Sequence, residues 1–120
     1  MEKRESRAED ITFDIVRISA EMRAEGAYER EGHTARTLVR EPDLRVVLVV
    51  MRGGSVIKEH RAKETATIHV LSGRVHVRLE DRSEDLPGGR LLVLERGLPH
   101  SVEAAEESTF LLSLGFRDKP

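Results

Sequence analysis

The stretch "TIHVLSGRVHVRL", residues 67–79, constrains the fold more than any other part of the chain. Two runs of alternating apolar and polar residues flank Ser72-Gly73. Side chains along a strand point to opposite faces with a period of two, so Ile68, Val70, Val75, Val77 and Leu79 share one face. Thr67, His69, Leu71, Arg74, His76 and Arg78 share the other. The first set is uniformly apolar and is expected to face inward, which leaves His69 and His76 outside. A two-residue turn at Ser72-Gly73 would make a hairpin pairing Leu71 with Arg74, Val70 with Val75, His69 with His76 and Ile68 with Val77.

Short β-branched segments continue on both sides. "TARTLVRE" and "LRVVLVVMRGG" are bounded by Pro42 and Gly53-Gly54. Further candidate strands fall at 55–60, 65–71, 74–79, 90–95, 99–104 and 108–115. Pro87-Gly88-Gly89 and Arg96-Gly97-Leu98-Pro99 supply turn signals between them. The acidic "EDRSED", 80–85, reads as a solvated hairpin tip. Many short strands at this spacing indicate an all-β sandwich or barrel. Ahead of them, "FDIVRISAEMRAEG" has apolar residues at 15, 18 and 22 and a glycine stop at Gly26, which predicts a short helix over about 14–25. Ile11 and Phe13 suit the start of a strand equally well. Residues 1–10 are charged or small and read as a frayed or solvated lead-in. The expected organisation is one structural domain: a lead-in with a short helix over 1–35 and a β-barrel over 36–120.

Composition narrows the chemistry. A chain of 120 residues is long enough to bury one core. It has no cysteine, which removes disulfides, thiolate metal sites and cysteine nucleophiles. Twenty Lys+Arg stand against 22 Asp+Glu, and the basic residues are interleaved with acidic ones, so no nucleic-acid stripe stands out. The longest apolar run, Val46 to Met51, is too short to cross a bilayer. "MEKRESRAED" lacks the apolar middle of a signal peptide, and a cytoplasmic location is expected. Gly53-Gly54 and Gly88-Gly89 do not open into a phosphate loop, and "GGS" at 53–55 is not a nucleophile elbow.

Two motifs carry a family resemblance. Gly54, His60 and Gly73 stand in the register of a glycine, five residues, His-x-His, a spacer, Glu, six residues and Gly. Gly89, Gly97 and His100 stand in the register of Gly, five residues, Pro-x-Gly, two residues, His, three residues and Asn. Residues 44–115 thereby resemble the cupin superfamily. The resemblance implies a mainly β fold: a single cupin-type jelly-roll β-barrel (a double-stranded β-helix, RmlC-like) preceded by a short N-terminal helix. Metal-binding cupins set three His and one Glu around the ion, at positions that correspond here to 60, 62, 66 and 100. This chain keeps His60 and His100 but has Ala62 and Ala66. Glu95 and Ala104 replace the proline and asparagine of the second motif.

Two histidines alone make a poor metal cage. Glu64, in the turn "RAKET", is the best candidate for a third ligand, whereas Glu59 should point away from His60. The expectation is at most a weakly held divalent metal (Zn, Fe, Ni or Mn) at His60, His100 and Glu64. The leading reading is a small cupin-fold protein that binds a small molecule in the barrel pocket, at His60, Ala62, Ala66 and His100, without strong metal-dependent catalysis. One alternative is a metal-dependent enzyme of oxygenase or isomerase type using His60 and His100. Another is a regulatory or structural dimeric module. Arg61, Lys63 and Arg96 either hold an anion at the pocket mouth or are ordinary surface charges. A homodimer is expected, because Leu71 faces outward and "TLVRE" and "LVV" carry more apolar residues than one inner face needs. His69 and His76 form either an exposed cross-strand pair or part of the subunit interface. No nucleic-acid or membrane partner is expected.

Overall fold

A computed structural model describes residues 11–115. The lead-in 1–10 lies outside the described residues. Two helices come first: α1 (Ile15–Arg23) and α2 (Gly26–Glu31). Nine strands follow: β1 (His33–Glu41), β2 (Leu44–Met51), β3 (Val56–His60), β4 (Ala66–Ser72), β5 (Arg74–Arg78), β6 (Ser83–Pro87), β7 (Leu91–Leu94), β8 (His100–Ala104) and β9 (Ser108–Leu114). All pairings are antiparallel and build a five-stranded sheet, β1-β2-β9-β4-β7, and a four-stranded sheet, β3-β8-β5-β6. This is the mainly β jelly-roll arrangement with a helical lead-in. β1 begins at His33, a residue the alternation alone would leave in a loop.

α1 starts where the Asp14 carboxylate accepts the Arg17 backbone N–H at 3.1 Å. That satisfies one of the donors every helix start leaves open. Gly26 does not end the helical region, because it begins α2. At six residues, α2 is too short to show a periodic pattern, and it has no side-chain cap. It ends at Gly32, whose left-handed φ of 85° suits a glycine at a helix stop.

The main core lies between the two sheets. The larger sheet contributes Val49, Met51, Ile68, Val70 and Phe110, and the smaller contributes Val75, Val77, Leu86 and Val102. A second core lies on the outer face of β1, β2 and β9, where Leu38, Leu48 and Val50 meet Met22 of α1. Phe13, Ile15, Ile18 and Tyr28 pack around it. Polar contacts fasten the helices over this face: Arg36 of β1 meets Glu25 at 2.8 Å, and Arg23 donates to Thr109 Oγ1 at 2.7 Å. The apolar surplus of "TLVRE" and "LVV" is therefore covered by the chain's own helices. It is not left over for a partner.

Two further expectations are corrected. The alternation in 67–79 assigns the faces properly: Ile68, Val70, Val75, Val77 and Leu79 are all buried. The pairing differs, however. β4 bonds to β9 and β7 in one sheet, while β5 bonds to β6 and β8 in the other. Gly73 (φ 85°) is the point where the chain crosses between sheets. Alternation fixes which face a residue takes, but not which strand lies beside it. His69 and His76 are thus not a cross-strand pair. His69 is flanked by Leu91 and Leu111, and His76 lies opposite Asp85, with Nδ1 3.4 Å from its carboxylate. The acidic segment 80–85 is not wholly a tip either. The reversal is closed by Leu79 N–H donating to the Arg82 carbonyl, and Ser83 already belongs to β6. There Leu86 is buried on the inner face, which the surrounding charges obscure in the sequence.

Candidate functional site

β3 and β8 are neighbours in the smaller sheet, and a register shift between Ile57 and His60 brings His60 directly opposite His100. Their rings meet edge to face with centroids 4.3 Å apart. Each is held by its own backbone: His60 Nδ1 lies 3.0 Å from the Lys58 carbonyl, and His100 Nδ1 lies 3.0 Å from the Leu98 carbonyl. A carbonyl oxygen only accepts, so each Nδ1 carries the hydrogen and each neutral ring keeps its lone pair on Nε2. His100 is only 3% exposed, whereas His60 is exposed. Burial pushes the His100 pKa below that of an ordinary imidazole. The Leu98 carbonyl opposes that shift, and the neighbouring His60 adds to it.

Both rings line an open cavity of about 500 Å³. The turn between β3 and β4 supplies Arg61, Ala62, Lys63 and Glu64, and β4 supplies Ala66. Thr37, Arg40, Arg45 and Val47 come from β1 and β2, and Leu112 and Leu114 from β9. The turn is tied down at its base. The Ala62 carbonyl accepts the Gly97 N–H at 2.7 Å, and the Thr65 carbonyl accepts the Gly115 N–H at 2.9 Å. The structure therefore brings His60, Ala62, Glu64, Ala66 and His100 to one cavity. Arg61 and Lys63 join them, whereas Arg96 is not among the lining residues.

The donor set falls short of a metal centre. Among the described residues, no three of His, Cys, Asp and Glu are grouped to hold an ion. Glu64 lines the cavity without completing such a group with the two imidazoles. At positions 62 and 66 the methyl groups of alanine stand where ligating side chains would reach inward. Those short side chains leave the space open instead.

Thr37, Arg40 and Arg45 are the polar lining residues that the sequence motifs do not reach. Thr37 and Arg40 have opposite parity and should face opposite ways on a regular strand. A bulge between Thr37 and Val39 changes this: Thr37 pairs with Val47, Val39 with Val46 and Arg40 with Arg45. Leu38 and Val39 both turn to the helix-covered side, and Arg40 is re-aimed into the cavity. Nothing in "TARTLVRE" announces the bulge.

A family model described as a cupin domain matches residues 46–114, more than half of the chain. The protein belongs to the cupin family. No match to a curated protein accompanies it. Among solved structures, this cupin is similar to the conserved SPY1581 protein of unknown function from Streptococcus pyogenes, at 22% identity and a TM-score of 0.75. That match covers 99% of this chain and 98% of the other, helical lead-in included. KdgF from Halomonas sp. is 26% identical over 72% of this cupin and 82% of its own chain, with a TM-score of 0.65. A variant of salicylate 1,2-dioxygenase from Pseudoaminobacter salicylatoxidans aligns with 83% of this cupin but only 32% of its own chain, at 19% identity and a TM-score of 0.71.

Proposed function

We propose that this cupin binds a small molecule in the cavity between His60, His100 and the β1–β2 strands, and that it does so without a tightly held catalytic metal. The carrying observation is the replacement of two ligand positions by Ala62 and Ala66 around an otherwise intact pair of imidazoles. The change removes donors and leaves room. About 500 Å³ is within the range of roughly 300–1,000 Å³ typical of small-molecule sites. The lining combines an apolar floor of Val47, Ala62, Ala66, Leu112 and Leu114 with eight polar or charged residues that can fix a ligand's orientation.

The two histidines have a definite task in this reading. With each Nδ1–H engaged by backbone, each Nε2 is presented as an acceptor for a hydroxyl or N–H of the ligand. Burial holds His100 neutral near pH 7, so its acceptor is retained there.

Elemental analysis of the purified full chain, before and after dialysis against a chelator, is the test. Well below one divalent ion per chain is expected. Stoichiometric metal surviving the chelator would overturn the proposal and favour a metal-dependent oxygenase or isomerase using His60 and His100, with Glu64 drawn in. A complementary gain is expected from Ala62→His combined with Ala66→Glu. Changes around a metal's ligands usually cost about 10–100-fold in affinity, so restoring two ligands should tighten divalent-metal binding by about 100-fold or more in calorimetry.

A further inference from the structure

The charge of the cavity is opposite to that of the chain. The whole sequence carries a formal net charge of −2, yet Arg40, Arg45, Arg61 and Lys63 line the cavity against the single carboxylate of Glu64. None of these four cations forms an ion pair among the described residues, whereas Arg23, Arg36, Arg74 and Arg82 each meet a carboxylate. Arg40 and Arg45 are moreover direct cross-strand partners. Like charges placed opposite one another destabilise an antiparallel pair. The strand also departs from regular geometry to create that pair, since the bulge at Thr37–Val39 is what turns Arg40 inward. Thr37 Oγ1 then accepts from the Arg40 guanidinium at 3.4 Å, a long contact on the cavity side.

We propose that the ligand of this cavity is a small organic carboxylate, with its anionic end held between Arg40 and Arg45 and its apolar body lying on the floor near Ala66, Leu112 and Leu114. The proposal rests on the reading of the cavity as a small-molecule site and adds the chemical class of what enters it. A bound carboxylate relieves the repulsion between the two arginines, and planar guanidinium groups match a planar carboxylate through paired N–H donors. Arg61 and Lys63, from the turn between β3 and β4, draw the anion into the cavity. The apolar floor favours an organic acid over inorganic phosphate, which would leave that surface in water. The Nε2 atoms of His60 and His100 accept from a hydroxyl or N–H elsewhere on the ligand.

The test uses the full chain and a panel of small acids, acetate, hexanoate, benzoate and succinate. Each is compared with its amide, and inorganic phosphate is included. Binding is followed by titration of the His60 and His100 ring signals in NMR. At least one carboxylate is expected to shift both signals and to bind about ten-fold or more tightly than its amide, the range expected for hydrogen bonds to a charged group. Arg45→Gln should remove that advantage and raise, not lower, the melting temperature of the ligand-free protein, because it abolishes the like-charge pair. Arg40→Gln should do the same. A purely structural pair of arginines would lower the melting temperature when broken. Amides binding as tightly as acids would overturn the anion assignment and leave the small-molecule reading standing. Phosphate binding more tightly than every organic acid would replace the carboxylate by a phosphate ligand. No shift with any probe at millimolar concentration would overturn both readings.

Discussion

Single residues decide whether this barrel is stable and what its cavity can do. Gly73 is the strictest. It sits at φ 85°, and a Cβ there would run into the Glu107 carbonyl and Ser108. Gly97 also has positive φ, at 77°, but a Cβ would meet nothing within 4 Å. Left-handed backbone costs a residue with a Cβ about 1–2 kcal/mol. Gly97→Ala should cost about that much in urea denaturation, while Gly73→Ala should cost clearly more, because backbone must move as well. His100 sets a different limit. Its folded pKa is lowered, so the unfolded chain binds the proton more readily. Stability should be complete above the ordinary histidine value of about 6.5 and should fall as pH drops below it. Urea midpoints at pH 7.5 and pH 5 should show this loss, and His100→Gln should remove the part that belongs to this ring. A midpoint difference identical in the variant would mean that other groups carry the acid sensitivity.

At the scale of elements, the faces were readable and the neighbours were not. Burial of Ile68, Val70, Val75 and Val77 follows from alternation alone, because the pleat allows no other arrangement once one face is apolar. Partner choice depends on how the chain crosses from one sheet to the other at Gly73, and that is a property of the whole jelly roll. The same limit explains the site. His60, Ala62, Ala66 and His100 were legible through spacing in two motifs. Arg40 was not, because a one-residue bulge reverses the parity of the rest of β1, and Arg45 lies outside both motifs although it shares the inward parity of Val49 and Met51 on β2. β6 was hidden by its charges and α2 by its shortness. The face assignment has its own test. Val77→Asp buries an unpaired charge at a position with 0% exposure and should unfold the domain. His69→Asp, on the outer face, should leave the fold intact by circular dichroism. The opposite pattern would put the strand register off by one residue.

At the scale of the molecule, the outer face of the larger sheet is divided. α1 and α2 cover the β1-β2-β9 half, with Met22 fully buried against Leu48 and Val50. Truncating Met22 to alanine should cost about 2–5 kcal/mol in denaturant unfolding, the usual range for a buried large-to-small change. The β4-β7 half has no such cover among the described residues. Leu91 and Val93 of β7 are each 60% exposed, and Leu71 of β4 lies on the same outer face beyond His69. β7 is also an edge strand, with one row of backbone groups unpaired within its sheet. Exposed apolar side chains on an open sheet edge suit association, and closed twofold pairs are the commonest outcome. A homodimer is therefore expected, and it should be built on β4 and β7. The apolar surplus of "TLVRE" and "LVV" is already packed under the helices and does not supply this surface. Light scattering should give twice the chain mass at micromolar concentration. Leu91→Lys with Val93→Lys should return the protein to a monomer with its circular dichroism unchanged, since both side chains already face outward. A dimer that survives the double substitution would place the interface elsewhere, and a monomeric unmodified protein would end the expectation of a pair altogether.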